Sequence, residues 1–131
     1  MSPQQPVEMI LLRQLASYLT VPIWMMDHEG NLLYYNEPAE KLLGVTFDDA
    51  GPLHADQLAT MFMVTDLDGN ALPDIELPVV ASLVKQRPAY KRVRFCGFDQ
   101  VWRDVAISAI PVEGQGGRFL GVFATFWESD D

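Results

Sequence analysis

The chain has 131 residues, 49% of them hydrophobic and 21% charged, with a formal net charge of −9 and a single cysteine. These values specify one globular domain around one core and exclude a disordered chain. The acidity excludes nucleic acid, which needs Lys and Arg against its phosphates, and an anionic membrane surface for the same reason, while the lone Cys96 excludes an intramolecular disulfide.

Residues 1–6, MSPQQP, read as a tail. They lack the basic-then-apolar pattern of a secretion signal, so a reducing cytoplasm is the expected location. The apolar run from Val7 to Leu19 is interrupted by Glu8, Arg13 and Gln14 and is too short to span a bilayer. It reads as a helical unit over 7–20. On a helical wheel its apolar residues fill about half the circumference, more than the ~100° stripe that one core contact needs. One face can lie on its own domain. The other, carried by Leu11, Leu12, Leu15, Tyr18 and Leu19, is expected to meet a second copy of the chain. A single wide contact with the domain alone is the alternative.

Pro22 stops this helix. In VPIWMMD, strand alternation puts Ile23 and Met25 on one face and Trp24 and Met26 on the other. Asp27 to Gly30 makes a turn, and NLLYYN pairs back as a hairpin whose second strand is apolar on both faces and therefore covered on both. Asn36 then stands where a helix needs an N-cap. EPAEKLLG has proline in its first turn and ends at Gly44. From Val45 to Ala71 the pattern is irregular, with one helical turn expected near Ala55 to Met61 and a loop at TDLDGNALP, where Asp-Gly-Asn is strong turn chemistry.

A longer helix follows from Ile75 to Gln86, with Pro78 near its start and Val79, Val80, Leu83 and Val84 at helical spacing. Three strands complete the chain. Tyr90 to Phe98 sets Val93 and Phe95 against Arg92 and Arg94. Gln100 to Val112 alternates, EGQGG turns, and Arg118 to Trp127 is thick with phenylalanine. Trp102 and Trp127 are assigned to the outer sheet face. Arg92, Arg94 and Arg103 are grouped as a cross-strand set, a solvated ladder before a surface for an acidic partner.

This ordered set resembles the PAS domain family from about Leu11 to Trp127. The resemblance rests on Asp27, Gly30, Tyr34 and Asn36 followed by EPAEKLLG, on LDGNALPDIELPVVASLVKQRPAY, and on VWRDVAISAIPVEGQGGRFLGVFATF. It implies an α+β domain over 21–128: a five-stranded antiparallel sheet with helices on one face enclosing a pocket, and the N-terminal helix on the outer side or on a partner. It implies a non-enzymatic sensory or protein-interaction module in bacterial signal transduction. Many members close with an Asp-Ile-Thr motif. Here Phe126-Trp127 leads into Glu128-Ser129-Asp130-Asp131, so output is expected through a partner protein or a homodimer that includes Trp127.

Catalytic and metal sites are not expected. His28 lies in a turn and His54 in a loop, neither spaced for a zinc site. The Asp66 loop lacks the closing bidentate Glu of a calcium loop, with Leu77 in its place. GQGG lacks the Lys and helix start of a phosphate loop. Haem-binding members carry a histidine on the long helix, and this helix has none. Covalent-flavin members carry a helical Asn-Cys-Arg, whereas Cys96 ends a strand. Haem and covalent flavin are therefore not expected, and the cofactor is left open.

The remaining lead is a pocket. Met25, Met26, Met61 and Met63 fall where they can wall it, with Trp24, Leu43 and Phe95. Val80, Leu83, Val84 and Phe123 complete the expected lining. A cavity filled by these side chains is favoured over one holding a small apolar ligand, because interiors are normally close-packed.

Overall fold

The structure, a computed structural model, describes residues 6–55 and 62–129. The expected helical turn near Ala55 to Met61 falls largely outside these residues. One antiparallel sheet organises the chain. Its strands are β1 (Ile23–Asp27), β2 (Leu32–Tyr35), β3 (Met63–Thr65), β4 (Ala89–Cys96), β5 (Trp102–Glu113) and β6 (Phe119–Glu128), in the spatial order β2-β1-β6-β5-β4-β3. The sheet has six strands where five were expected. The addition is the short edge strand β3, whose three residues lie in a stretch without clear alternation and pair with β4.

Among the described residues four α-helices accompany the sheet: α1 (Val7–Tyr18), α2 (Glu37–Leu43), α3 (Phe47–Ala50) and α4 (Pro78–Lys85). The long helix expected from Ile75 begins instead as a 3₁₀ turn, Asp74–Glu76, and becomes α-helical only at Pro78. Pro78 has no N–H to place in the ladder, so the regular helix starts there.

The sheet separates two apolar layers. On the inner face Trp24, Met26, Tyr35, Val93, Phe95 and Val122 pack with Ala39 and Leu43 of α2. On the outer face Ile23, Met25 and Leu120 lie under Met9 and Ala16 of α1, with Leu12 and Leu19 packed beside them. The Arg13 guanidinium lies 4.8 Å from the Tyr34 ring centre and 5.6 Å from that of Phe47, pinning α1 across the sheet edge. Two irregularities set which residues face which layer. The β1–β2 register shifts between Met25 and Met26, leaving Leu33 unpaired. A second shift after Val112 leaves Leu120 unpaired, so Phe119 joins the inner layer and Leu120 the outer. Beside it Gly121 crosses Met26, and a Cβ there would run into the Met26 carbonyl oxygen.

Asn36 ties the outer helix to the inner layer. It is 1% exposed. Its Oδ1 accepts from Ile23 N at 3.0 Å and from Ala39 N at 3.2 Å, capping α2 as expected. Its Nδ2 donates to Ala16 O at 3.0 Å and Val21 O at 2.9 Å, near the end of α1 and in the linker after it. One amide side chain thus uses both donors and two acceptor positions. Asp27 performs a smaller version of the same task. Its Oδ1 accepts from Glu29 N and Asn31 N, and Gly30 closes the turn at φ 89°, which favours glycine.

Replacing Asn36 by Ala leaves the Ala16 and Val21 carbonyls and the Ile23 N–H without their side-chain partner in a buried setting. The expected loss is about 2–4 kcal/mol of unfolding free energy in urea titration. Asn36→Asp keeps the acceptor but faces two carbonyls with a carboxylate, and should also destabilise. A loss below about 1 kcal/mol for both variants would remove this residue from its central place.

Candidate functional site

Between the inner sheet face and α4 lies an apolar chamber of ≈ 80 Å³. Its walls come from five strands and the ends of two helices. Trp24 and Phe126 stand on adjacent strands, Phe95, Val105 and Ile107 on β4 and β5, and Leu43 at the end of α2. Phe62 and Val64 close the β3 side, and Leu77, Pro78 and Val79 bring in the start of α4. The alternation of β5 and β6 points Val105, Ile107 and Phe126 inward. Trp24 stacks on Tyr35 with centroids 5.4 Å apart and planes 4° from parallel, and meets Phe62 edge-on at 6.4 Å.

Among the described residues only one lining side chain carries a polar atom. Trp24 Nε1 is buried and has no hydrogen-bond partner. Ser82 Oγ, on the same face of α4 one turn beyond Pro78 and Val79, is a second buried atom without one. Tyr35 differs. Its hydroxyl donates to Val45 O at 2.9 Å, and burial, reinforced by the Glu40 and Asp49 carboxylates, pushes its pKa up to about 12. It therefore stays neutral beneath Trp24.

The chamber's α2 corner is held by the β4–β5 loop. Phe98 N donates to Leu43 O at 2.8 Å and Arg103 Nη1 to Leu42 O at 3.2 Å, satisfying carbonyls that the end of α2 leaves over. Gly44, at φ 80°, ends α2 against Asp99. Arg103 is in turn held by Asp99 Oδ2 at 3.0 Å and Glu128 Oε1 at 3.2 Å. Hydrogen bonding to Arg103, and then to Val101 N, lowers the Asp99 pKa below its ordinary value.

The expected pocket residues divide. Trp24, Leu43 and Phe95 line the chamber. Met26 is fully buried in the same layer without lining it, and Val80 and Leu83 pack against that layer from α4. Val84 is 62% exposed because the helix turns Pro78 and Val79 inward, which carries Val84 to the solvent side. Met63 is exposed, since strand parity gives the inward place to Val64. Phe123 lies in the outer layer, since β6 sends Val122, Ala124 and Phe126 inward. Met25 is likewise outer, under α1. Met61 lies outside the described residues. Phe62, Val64, Leu77, Pro78, Val79, Val105, Ile107 and Phe126 line the chamber but were not in the expected set, and the signal for Val105, Ile107 and Val64 was simple strand parity.

Other expectations resolve in the same way. Leu11, Leu15, Tyr18 and Trp127 are exposed, whereas Leu12 and Leu19 turn toward the domain's own outer layer. Trp102 is on the outer face but uncovered. The arginines do not form one set: Arg94 pairs with Asp104 at 3.2 Å and Arg92 bonds Ser129 Oγ on one face, while Arg103, in step with Val105, is on the other. His28 is exposed, and His54 Nε2 sits 2.7 Å from Glu29 O. The Asp66 carboxylate accepts from Asp68 N and Asn70 N, and this backbone bonding lowers its pKa. Among the described residues no cluster of three ligating side chains forms, and no helix is long and apolar enough to cross a membrane.

This architecture is the PAS fold. The PAS domain from Bordetella pertussis BvgS superposes with a TM-score of 0.63 at 18% identity, covering 95% of this chain and 87% of that one. A PAS domain from a two-component sensor histidine kinase gives 0.60 at 11%, covering 94% and 97%. The PAS domain from the fruit-fly ELK potassium channel gives 0.73 at 9%, covering 98% and 100%. No protein-family model and no curated protein matches the chain.

The depressed Asp99 pKa has a sign. A carboxylate held below its unfolded value, near 3.8, stabilises the fold above that pH and loses the contribution as pH falls through the lower folded value. Asp99→Asn should therefore melt at a lower temperature than the parent at pH 7. The gap should close below about pH 3.8. A gap independent of pH would mean that Asp99 acts through shape rather than charge.

Proposed function

We propose that the chain is a non-enzymatic PAS module of signal transduction that works by pairing with a second copy of itself through its outer surface. The observation that carries this reading is the exposure of large apolar side chains on that one side. Leu11 is 58% exposed, Leu15 51% and Tyr18 77%, along the outward face of α1. Trp127 and Tyr90 meet on the bare part of the outer sheet face, rings 6.4 Å apart, with Ile110 also uncovered. Patches of this kind on a charged surface mark interfaces. Among PAS domains of the same fold, one comes from a two-component sensor histidine kinase, in keeping with a part in signalling. No convergent acid–base or nucleophile pair stands among the described residues at the chamber, whose lining is apolar.

Leu11 and Leu15 point away from the domain core, so Leu11→Glu with Leu15→Glu should leave the fold intact and abolish self-association. Light scattering after gel filtration reads the mass directly. A parent chain that is already monomeric at micromolar concentration refutes the pairing; a dimer that survives both changes moves the interface to Trp127 and Tyr90.

The chamber supports a second reading, a sensor or carrier of a small apolar molecule. Ligand pockets for drug-sized molecules run to roughly 300–1,000 Å³, so ≈ 80 Å³ fits neither a flavin nor a fatty chain in this conformation. It does fit a small apolar guest. Xenon under pressure should move the methyl resonances of Leu43, Val64 and Val79; unmoved resonances would leave the space as a packing gap.

A further inference from the structure

We infer that a second copy of the chain seats its α1 on the bare strip of outer sheet beside this α1, so that two helices lie side by side between two facing sheets; this rests on the self-pairing reading and gives it a geometry. The strip is a step with a wall and a floor. Arg13 turns toward β2, over the Tyr34 ring. Leu11 and Leu15 stand two residues from it on either side, which at about 3.6 residues per turn puts both on the opposite flank. Since β2 and β5 lie on opposite sides of β1, that flank faces β5. The floor is the outer face of β5 and its neighbours. Ile110 pairs with Phe123, and Phe123 with Met25, which lies beneath α1. Ile110 is thus two strands from the one that α1 covers, about 10 Å at the usual strand spacing. Packed helices lie about 8–10 Å apart, so the uncovered strip is one helix wide. Ile110, Tyr90 and Trp127 are its exposed apolar side chains.

The occupant follows from α1 itself. Val7, Ile10, Leu11, Leu15 and Tyr18 are exposed, and they spread over roughly 140° of the helix circumference. A single contact takes a stripe of ~100°, so this surface needs two neighbours, and the step offers two. Charge favours the same mate. Glu8 turns its carboxylate toward Gly114 and Arg13 lies on Tyr34, so the remaining outward side chains, Gln14 and Ser17 among them, carry no charge. A chain of net charge −9 repels its copy wherever acids meet. On this neutral face two copies can close, while an oppositely charged partner finds nothing to hold. The area agrees. The eight exposed apolar side chains of helix and strip, each about half exposed and roughly 150–200 Å² when whole, supply on the order of 600–900 Å² per copy. A standard interface takes about 800 Å² per partner, which neither patch reaches alone.

A two-fold axis along the seam relates the copies, because it turns one sheet over to face the other and carries α1 into the neighbouring strip. The helices then run parallel, Leu15 meets the partner's Leu15, and positions along the strands are kept. Met9 lies against Gly121, level with Val112. Gln14, five residues on, comes about 7–8 Å further, which is the level of Ile110 two residues along β5. The partner's Gln14 therefore stands over Ile110.

The test cross-links the full chain with a short bismaleimide; Cys96 is buried and stays out of the reaction. Gln14→Cys is mixed, after subunit exchange, with an affinity-tagged Ile110→Cys, and Leu15→Cys is treated alone. All three positions are exposed, so the fold should hold. The expected result is a mixed dimer from Gln14→Cys and Ile110→Cys together with a self-linked Leu15→Cys dimer. Ile110→Glu should also weaken dimerisation at least tenfold in light scattering; should it not fold, the cross-links decide. A self-linked Leu15→Cys dimer without the mixed product overturns the inference and leaves helix against helix alone. A dimer in which neither link forms overturns it as well and moves the interface elsewhere. A parent chain that is monomeric at micromolar concentration removes the self-pairing reading and the inference together.

Discussion

The structure depends on one buried amide. Asn36 joins four successive stretches of the chain: the last turn of α1, the linker after it, the first residue of β1 and the first turn of α2. Each bond alone is worth little net of water, but the groups they satisfy are costly to bury without a partner. The side chain is also directional. Two N–H groups face two carbonyls and one oxygen faces two N–H groups, so no other residue of this size can replace it without leaving part of the set unpaired. The same residue therefore fixes how α1 lies on one side of the sheet and how α2 lies on the other. Any shift of one is felt by the other through a single rigid group.

Around this joint the two faces of the sheet take different chemistry. The inner face is packed with aromatic rings, Trp24 on Tyr35 and Phe62 against Phe95 at 5.3 Å, and leaves only a small apolar space. The outer face is covered by α1 over Ile23, Met25 and Leu120, and then left open over β4, β5 and the end of β6. The proposed activities divide accordingly: recognition of a small molecule inside, contact with another chain outside. On the outer face Arg92, Arg94 and Asp104 share the strands that carry Tyr90 and Trp102, so a partner there meets charge as well as apolar rings.

Much of this was legible in the sequence because strand parity and capping are local. Ile23, Trp24, Met25 and Met26 alternate without ambiguity, and Asn36 before EPAEKLLG announces its cap. What local pattern could not give was phase across an irregularity. Phe119, Leu120 and Gly121 read as continuous strand, yet the extra residue at Leu120 changes which neighbours face inward, and Phe123 was assigned to the wrong side. The helix phase of Val84 depends on where α4 starts, and Pro78 moved that start. Leu12 and Leu19 belong to an arc broad enough to serve two contacts, and only the packing decides which residues serve the domain. Asn36's two donors were invisible for a different reason: a cap is visible from three residues downstream, whereas bonds to Ala16 and Val21 span folded distance. The chamber likewise exists only once the strands have closed.

The wall helix of the chamber has a further consequence. α4 is two turns long, no side chain caps its first N–H groups, and its opening residue is a proline that follows a 3₁₀ turn. A helix so short has no standing of its own in water and is ordered only by what lies beneath it. The proposed guest would bear directly on the opening of this helix, at Leu77, Pro78 and Val79.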